Sequence, residues 1–280
     1  MACKATHLVN PLAISIDRVK WVPGPANIAD DTEEVSMMPI SPANYGDRAR
    51  IGMLLPSVNR AAEPQISVML PQGVSLHTTR LRLQSSKEKH IKEMITDVER
   101  GSIMLADADV DLIVFHCTAA SMFAPGFDDD IIERIENATA KPATSTSKGC
   151  LEAFKSAGAE KITLTTPYIQ ETNDREVAFL RSHGIEVLSE TGLGITGDGG
   201  AMLAVEPNEW CKRVAKQDEP SSQAAFLSCT AIRAIEAIEP IEAKIDKPVI
   251  TSNQAMVWHV LRKLGISERP RGYGRLMNTC

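Results

Sequence analysis

Val114-Phe115-His116-Cys117-Thr118-Ala119 and Phe226-Leu227-Ser228-Cys229-Thr230-Ala231 say almost the same thing twice. In each, an apolar β-type run stops at Cys-Thr-Ala, the pattern of a strand that presents a thiol at its C-terminal edge beside a helix start. That edge is where open α/β sheets bind ligands. The two cysteines lie 112 positions apart, and each is followed by a Lys-Pro-bounded strand and a helix, at Lys141-Pro142-Ala143-Thr144-Ser145 and Lys247-Pro248-Val249-Ile250-Thr251. The chain therefore reads as two similar halves. A single free cysteine is most often a small apolar core residue. Core filling does not require the same punctuation twice, so the pair predicts a two-thiol site.

Outward from these segments, apolar runs alternate with helical patterns from Arg50 onward, through strands at 51–55, 74–83, 112–116 and 162–166 and helices at 63–70, 87–106 and 127–138. Short strands separated by helices of this length favour parallel sheets joined by right-handed crossovers. The expected fold is α/β, two pseudo-symmetric lobes with parallel sheets flanked by helices and facing one cleft. Residues 1–48, with Pro23, Pro25, Pro39 and Pro42 and no sustained periodicity, are expected to form an irregular N-terminal extension. Residues 49–160 with 254–280 are assigned to the first lobe and 161–253 to the second. Gly192, Gly194 and Gly197 match the spacing of a dinucleotide fingerprint, but the following Asp198-Gly199-Gly200 continues as loop. No nucleotide cofactor is expected.

The 280 residues suffice for one large or two modest domains. A net charge of −6, without a Lys/Arg cluster interleaved with aromatics, argues against nucleic acid as a partner. No apolar stretch approaches the length of a membrane span and the first ten residues lack a signal-peptide pattern, so a cytoplasmic location is expected. The six cysteines do not make a disulfide scaffold, and neither they nor the six histidines show zinc-ligand spacing, so no metal is expected. Homo-oligomers are the common state of soluble enzymes and one is expected here.

A thiol at a helix start lies near free backbone N–H groups, which favour thiolate over thiol and also favour a bound carboxylate. On that ground Cys117 is expected to react with iodoacetamide near neutral pH faster than Cys3 or Cys280. Short polar residues end neighbouring strands: Ser57 and Asn59 after the first, Thr166 and Tyr168 after a middle one, Thr251, Ser252 and Asn253 after the last. Each alone is an ordinary turn or cap residue. Gathered at one sheet edge with two thiols, and with Thr118 and Thr230 beside them, they become candidate donors to a small carboxylate. Arg80 and Arg233 are candidates for added charge.

As an ordered set, Ile51-Gly52-Met53-Leu54-Leu55-Pro56-Ser57-Val58-Asn59, Cys117-Thr118, Leu164-Thr165-Thr166-Pro167-Tyr168, Leu227-Ser228-Cys229-Thr230, Ser252-Asn253-Gln254-Ala255 and Gly272-Tyr273-Gly274-Arg275-Leu276 are specific. Over about residues 50–276 the chain resembles the aspartate/glutamate racemase superfamily, in the branch holding maleate cis-trans isomerases, arylmalonate decarboxylases and the racemase-like proteins of ectoine-utilisation clusters. The resemblance implies cofactor-free catalysis in an interlobe cleft. It makes Cys117 the nucleophile, Cys229 the proton donor and acceptor, and Asn59 and Tyr168 carboxylate binders. It also implies that a decarboxylase has glycine in place of the first thiol. Thr118 departs from the isomerases, which carry apolar residues there, and Cys-Thr-Ala-Ile-Arg after the second strand is closer to the ectoine-cluster proteins.

The expected function is a cofactor-independent two-cysteine isomerase or racemase of a small carboxylate, most concretely maleate to fumarate. Catalysis is assigned to Cys117 and Cys229, and substrate binding to Asn59, Thr118, Tyr168, Thr230, Ser57 and Thr166. Two alternatives stay open: an arylmalonate-type decarboxylase using Cys229, and a carboxylate sensor of the same fold without turnover.

Overall fold

The computed structural model describes residues 43–196 and 199–279. The expected extension falls outside this range except for residues 43–48, which run without regular structure into the first strand. Eight strands follow: β1 (Ala49–Pro56), β2 (Val74–Leu81), β3 (Leu112–Phe115), β4 (Ala143–Ser145), β5 (Lys161–Thr166), β6 (Glu186–Gly192), β7 (Ala224–Leu227) and β8 (Val249–Thr251). They form two parallel sheets of identical topology, β2-β1-β3-β4 and β6-β5-β7-β8. The repeat read from the two Cys-Thr-Ala segments is thus a repeat of whole sheets.

The described helices are α1 (Ala62–Met69), α2 (Glu88–Met94), α3 (Val98–Asp107), α4 (Thr118–Ser121), α5 (Phe127–Thr139), α6 (Thr146–Ser156), α7 (Gln170–Ser182), α8 (Gly199–Leu203), α9 (Pro207–Gln217), α10 (Ile238–Ile245) and α11 (Ser252–Lys263). The single helical pattern over residues 87–106 is broken into α2 and α3 by a short 3-10 turn at Ile95–Asp97.

Strand order 2-1-3-4 places a topological switch between the first and third strands of each sheet, since successive connections leave in opposite directions there. The backbone repeats at this point. His116 N–H donates to Leu54 O at 2.9 Å, and Ser228 N–H donates to Thr165 O at 2.9 Å. Each cysteine sits one residue beyond that bond. The lysine-proline turns are also equivalent: Pro142 O accepts from Ile113 N–H and Pro248 O from Ala225 N–H.

After β4 and β8 the chain turns directly into helices because both strands end in cap residues. Ser145 Oγ accepts from Lys148 N–H, and Thr251 with Gln254 forms a reciprocal capping box. Helices α6 and α11 then pack closely. A Cβ on Gly149 would stand 3.2 Å from both Ala255 O and Met256 Cα, so glycine permits this approach. Around them Ile51 and Val114 of one sheet and Leu164 and Phe226 of the other belong to one buried cluster. Phe154 of α6 meets Phe226 edge-on, with ring centroids 5.2 Å apart. Burying an aromatic side chain of this size contributes about 2–3 kcal/mol, and here it also fixes one sheet against the other.

Candidate active site

Four loops leave the two switch points and meet in one cleft. Asn59 comes from the loop after β1, Cys117 follows β3, Tyr168 follows β5, and Cys229 with Thr230 follows β7. Together with Pro56, Val58, Leu83, Ser85, Ser86, Ala119, Gly199, Met202 and Ala231 they line a narrow cleft whose space, its open mouth included, is about 440 Å³. None of these lining residues carries a charged side chain. An anion bound here is held by neutral donors and backbone N–H groups.

Asn59 is 1% exposed. Its Oδ1 accepts from Ala61 N–H at 2.9 Å and Ala62 N–H at 3.0 Å, capping the start of α1. Those two bonds assign the amide orientation, so Nδ2 is the group turned toward the opposite loop, where it donates to Thr230 Oγ1 at 3.0 Å. Tyr168 is held by the strand end before it: its N–H donates to Thr166 Oγ1, whose hydroxyl donates in turn to Asn173 Oδ1 at 2.6 Å. The Tyr168 phenol acts on the Cys229 sulfur as a donor that favours its thiolate. Burial first, then the neighbouring thiols and Glu176, push the phenol well above its ordinary range, so it is a donor at any physiological pH.

The two thiol loops are braced to one another. Ser252 Oγ accepts from Thr118 Oγ1 at 2.8 Å and from Cys229 N–H at 3.1 Å. On the other side Asn253 Nδ2 donates to Gln65 Oε1 and Thr230 O, which leaves its Oδ1 to accept from His116 Nε2 at 2.9 Å. The His116 Nδ1 then accepts from Thr146 Oγ1 at 3.0 Å. Burial lowers the His116 pKa to about 4, so this ring is a neutral brace and not a cation beside Cys117.

Helix-start placement was expected to favour thiolate, and here burial wins. Cys117 is 5% exposed and Cys229 is 3% exposed. Burial drives Cys117 up to about 12 against the N–H groups of Ala120 and Ala119, and the nearby Cys229 adds to the rise. Burial likewise drives Cys229 up to about 11 against the Tyr168 hydroxyl and the Ala231 N–H, the latter 3.2 Å from the sulfur. With only four residues, α4 supplies too little opposing dipole. Burial therefore keeps both thiols protonated near neutral pH. We predict that alkylation of Cys117 by iodoacetamide rises about tenfold per pH unit from near pH 6 to near pH 9, without a plateau; a plateau near neutrality, read by peptide mass spectrometry, would contradict this. Cys3 and Cys280 lie outside the described residues.

The sequence pattern of the arylmalonate decarboxylase family matches residues 51–277. The chain belongs to the arylmalonate decarboxylase family. Within curated relatives, a maleate isomerase of Pseudomonas putida is 27% identical over 243 residues, covering 82% of this chain and 97% of the relative. Among solved structures, a cysteine-to-alanine variant of the Pseudomonas putida S16 maleate isomerase with maleate superposes with a TM-score of 0.78 at 26% identity, covering 82% of this chain and 97% of that one. A cysteine-to-serine variant of Nocardia farcinica maleate cis-trans isomerase, carrying a covalently bound succinylcysteine, shares the fold with a TM-score of 0.78 at 22% identity, covering 82% and 98%.

Of the residues expected to form this family member's site, Cys117, Cys229, Asn59, Tyr168 and Thr230 line the cleft. Thr118, Ser57 and Thr166 do not. Thr118 is fully buried against Ser252, and Thr166 supports Tyr168 from behind. Ser57 Oγ bonds the backbone of Leu83, accepting from its N–H and donating to its carbonyl, and so ties the β1 loop to the end of β2. The arginines also point elsewhere: Arg80 pairs with Glu63 and holds the carbonyls of Ser57 and Asn59, and Arg233 pairs with Glu206 and Glu236. Missing from the sequence reading were Ser85, Ser86 and Leu83. They follow an edge strand adjacent to β1, so the rule that ligands sit at strand C-termini was the available signal.

Cys229 differs from Cys117 in its backbone. Its φ is 148°, a region that L-residues rarely occupy, whereas Cys117 has φ −155°. Such strain costs about 1–3 kcal/mol and here fixes the direction of the second thiol. We predict that Cys229→Gly unfolds at higher urea concentration than Cys229→Ala, by about 1 kcal/mol after the entropic cost of glycine. Equal midpoints, or a more stable alanine variant, would show that the backbone relaxes freely.

Proposed function

We propose that this chain is a cofactor-independent, two-cysteine isomerase that converts maleate to fumarate. The observation that carries the reading is that both thiols open into one uncharged cleft, from equivalent positions in two sheets. The similarity to maleate isomerases over nearly their whole length supports it.

In the proposed reaction, the Cys117 thiol gives its proton to a carboxylate of the bound maleate, which returns it at the end of the cycle, and the resulting thiolate sulfur forms a bond to one alkene carbon. The π-electron pair moves to the other carbon, which takes the proton of the Cys229 thiol. The succinyl adduct has a single bond where the alkene was, and rotates about it. Cys229 thiolate then removes a proton from the second carbon, the new pair forms the trans double bond, and the C–S bond breaks to regenerate Cys117 thiolate. Asn59 Nδ2 and the hydroxyls of Tyr168 and Thr230 are the proposed carboxylate donors. Because none of the described residues lining this cleft is cationic, these neutral donors must be preorganised, which the Ala61, Ala62 and Thr166 bonds accomplish.

Decarboxylation of a substituted malonate is the second reading, favoured by the apolar wall of Pro56, Val58, Leu83 and Met202. A single thiol suffices for it, so it leaves Cys117 without a role. Proton NMR of the protein with maleate, without added cofactor, separates the two: fumarate supports isomerisation, while inert maleate together with loss of carboxylate from an arylmalonate supports decarboxylation. Silence with both, and with chiral amino acids, favours a sensor. A cytoplasmic location and a homo-oligomeric state belong to the same proposal. Among the described residues no helix is long and apolar enough to cross a membrane.

A further inference from the structure

Among the described residues three carboxyls are buried away from the cleft lining, and two have partners. Asp128 accepts from Ser147 Oγ and pairs with Lys148, and Glu242 accepts from Val249 N–H and Arg275 N–H. Glu176, on α7 and 1% exposed, has neither oxygen hydrogen-bonded. Its carboxyl faces the Ser228 hydroxyl, itself buried and without a bond of ordinary geometry. Ser228 immediately precedes Cys229 and holds in the second sheet the position that His116 holds in the first. One turn earlier on the same helix, Asn173 supports Thr166, and so Tyr168, through its Oδ1.

The titratable groups facing Glu176 are Glu190 on β6, Cys150 on α6, Tyr168 after β5 and Cys229 after β7. This carboxyl thus lies near the second thiol, and none of the described groups that shift it is a cation.

We propose that Glu176 is a positioning residue for the proton step at Cys229: its neutral carboxyl, seated behind Ser228, permits that thiol to give up and regain a proton, and its ionisation suppresses the exchange. The inference rests on the two-thiol reading for its catalytic meaning, but not for its test. Burial raises the Glu176 pKa to about 8, with Ser228 opposing and Glu190 adding to the rise. Below that value the carboxyl is neutral. Above it, a negative charge stands near Cys229 and Tyr168 and disfavours loss of a proton from either. The device therefore works on the alkaline side of neutrality.

Glu176→Gln keeps the shape and removes the ionisation. Alkylation of Cys229 by iodoacetamide, read by peptide mass spectrometry, is expected to match the starting protein at about pH 6.5 and to exceed it by roughly threefold or more at about pH 9.5. The same ratio at both values overturns the proposal. Ser228→Ala supplies an independent arm, because it removes the neighbouring hydroxyl that opposes the rise at Glu176. The inflection in Cys229 labelling is expected to move to higher pH, and an unmoved inflection counts against Glu176. Labelling needs no substrate. A pH-dependent difference without maleate turnover would sink the isomerase reading and spare Glu176, whereas turnover with pH-independent labelling ratios would do the reverse.

Discussion

Cys117→Ser is expected to lower maleate turnover by at least about 10³-fold, because a buried serine hydroxyl cannot replace a thiolate as the adduct-forming nucleophile. The loss should fall on kcat, since Asn59, Tyr168 and Thr230, the proposed carboxylate donors, are untouched. Fumarate formation followed by proton NMR gives the rate. Turnover within about tenfold of the starting protein would mean that Cys229 alone suffices, and would favour the decarboxylase reading. Serine is the informative replacement here because it preserves the cap position at the start of α4.

Cys229→Ser is expected to cost about 10² to 10⁴-fold in turnover, the usual range for losing a positioned proton donor and acceptor. The two variants should fail at different steps. Without Cys117 no bond to the alkene forms. Without Cys229 the sulfur can still attack, but the carbanionic carbon must take its proton from water and, after rotation, has no base to remove it. The Cys229 sulfur is held for this task by Ala231 N–H, on a backbone strained to φ 148°, and the Tyr168 hydroxyl favours its thiolate. If both variants showed the same loss and neither retained bound substrate, the division of labour between the thiols would be wrong.

Much of this architecture was legible because the chain says it twice. The matched Cys-Thr-Ala and Lys-Pro segments placed β3, β4, β7 and β8 and both thiols, and strand C-termini collected Asn59, Tyr168 and Thr230 in the same cleft. Three expected binders do not line it, two of them buried behind it and Ser57 exposed beside it. Thr118, Ser57 and Thr166 are the same residue types at the same strand ends, but period and composition do not say whether a hydroxyl faces the ligand or braces the loop that does. Thr118 against Ser252 is the clearest case, since its partner lies 134 positions away.

The electrostatic reading failed for a related reason. A helix start is visible in sequence, but the depth at which it is buried is set by tertiary packing, and desolvation of Cys117 exceeds the help of its local N–H groups. Glu176 was invisible for the same cause: on α7 it reads as one more polar residue among Asn173, Asp174 and Arg175, and only the fold turns it inward toward Ser228.

The central claim is that two opposed thiols divide bond formation and proton transfer between them. Its most direct test is the intact mass of the Cys229→Ser protein after incubation with maleate, with the modified peptide mapped. A covalent addition of one maleic acid, located on Cys117, is expected. An unmodified protein, or an adduct on another cysteine such as Cys150 or Cys211, would contradict it.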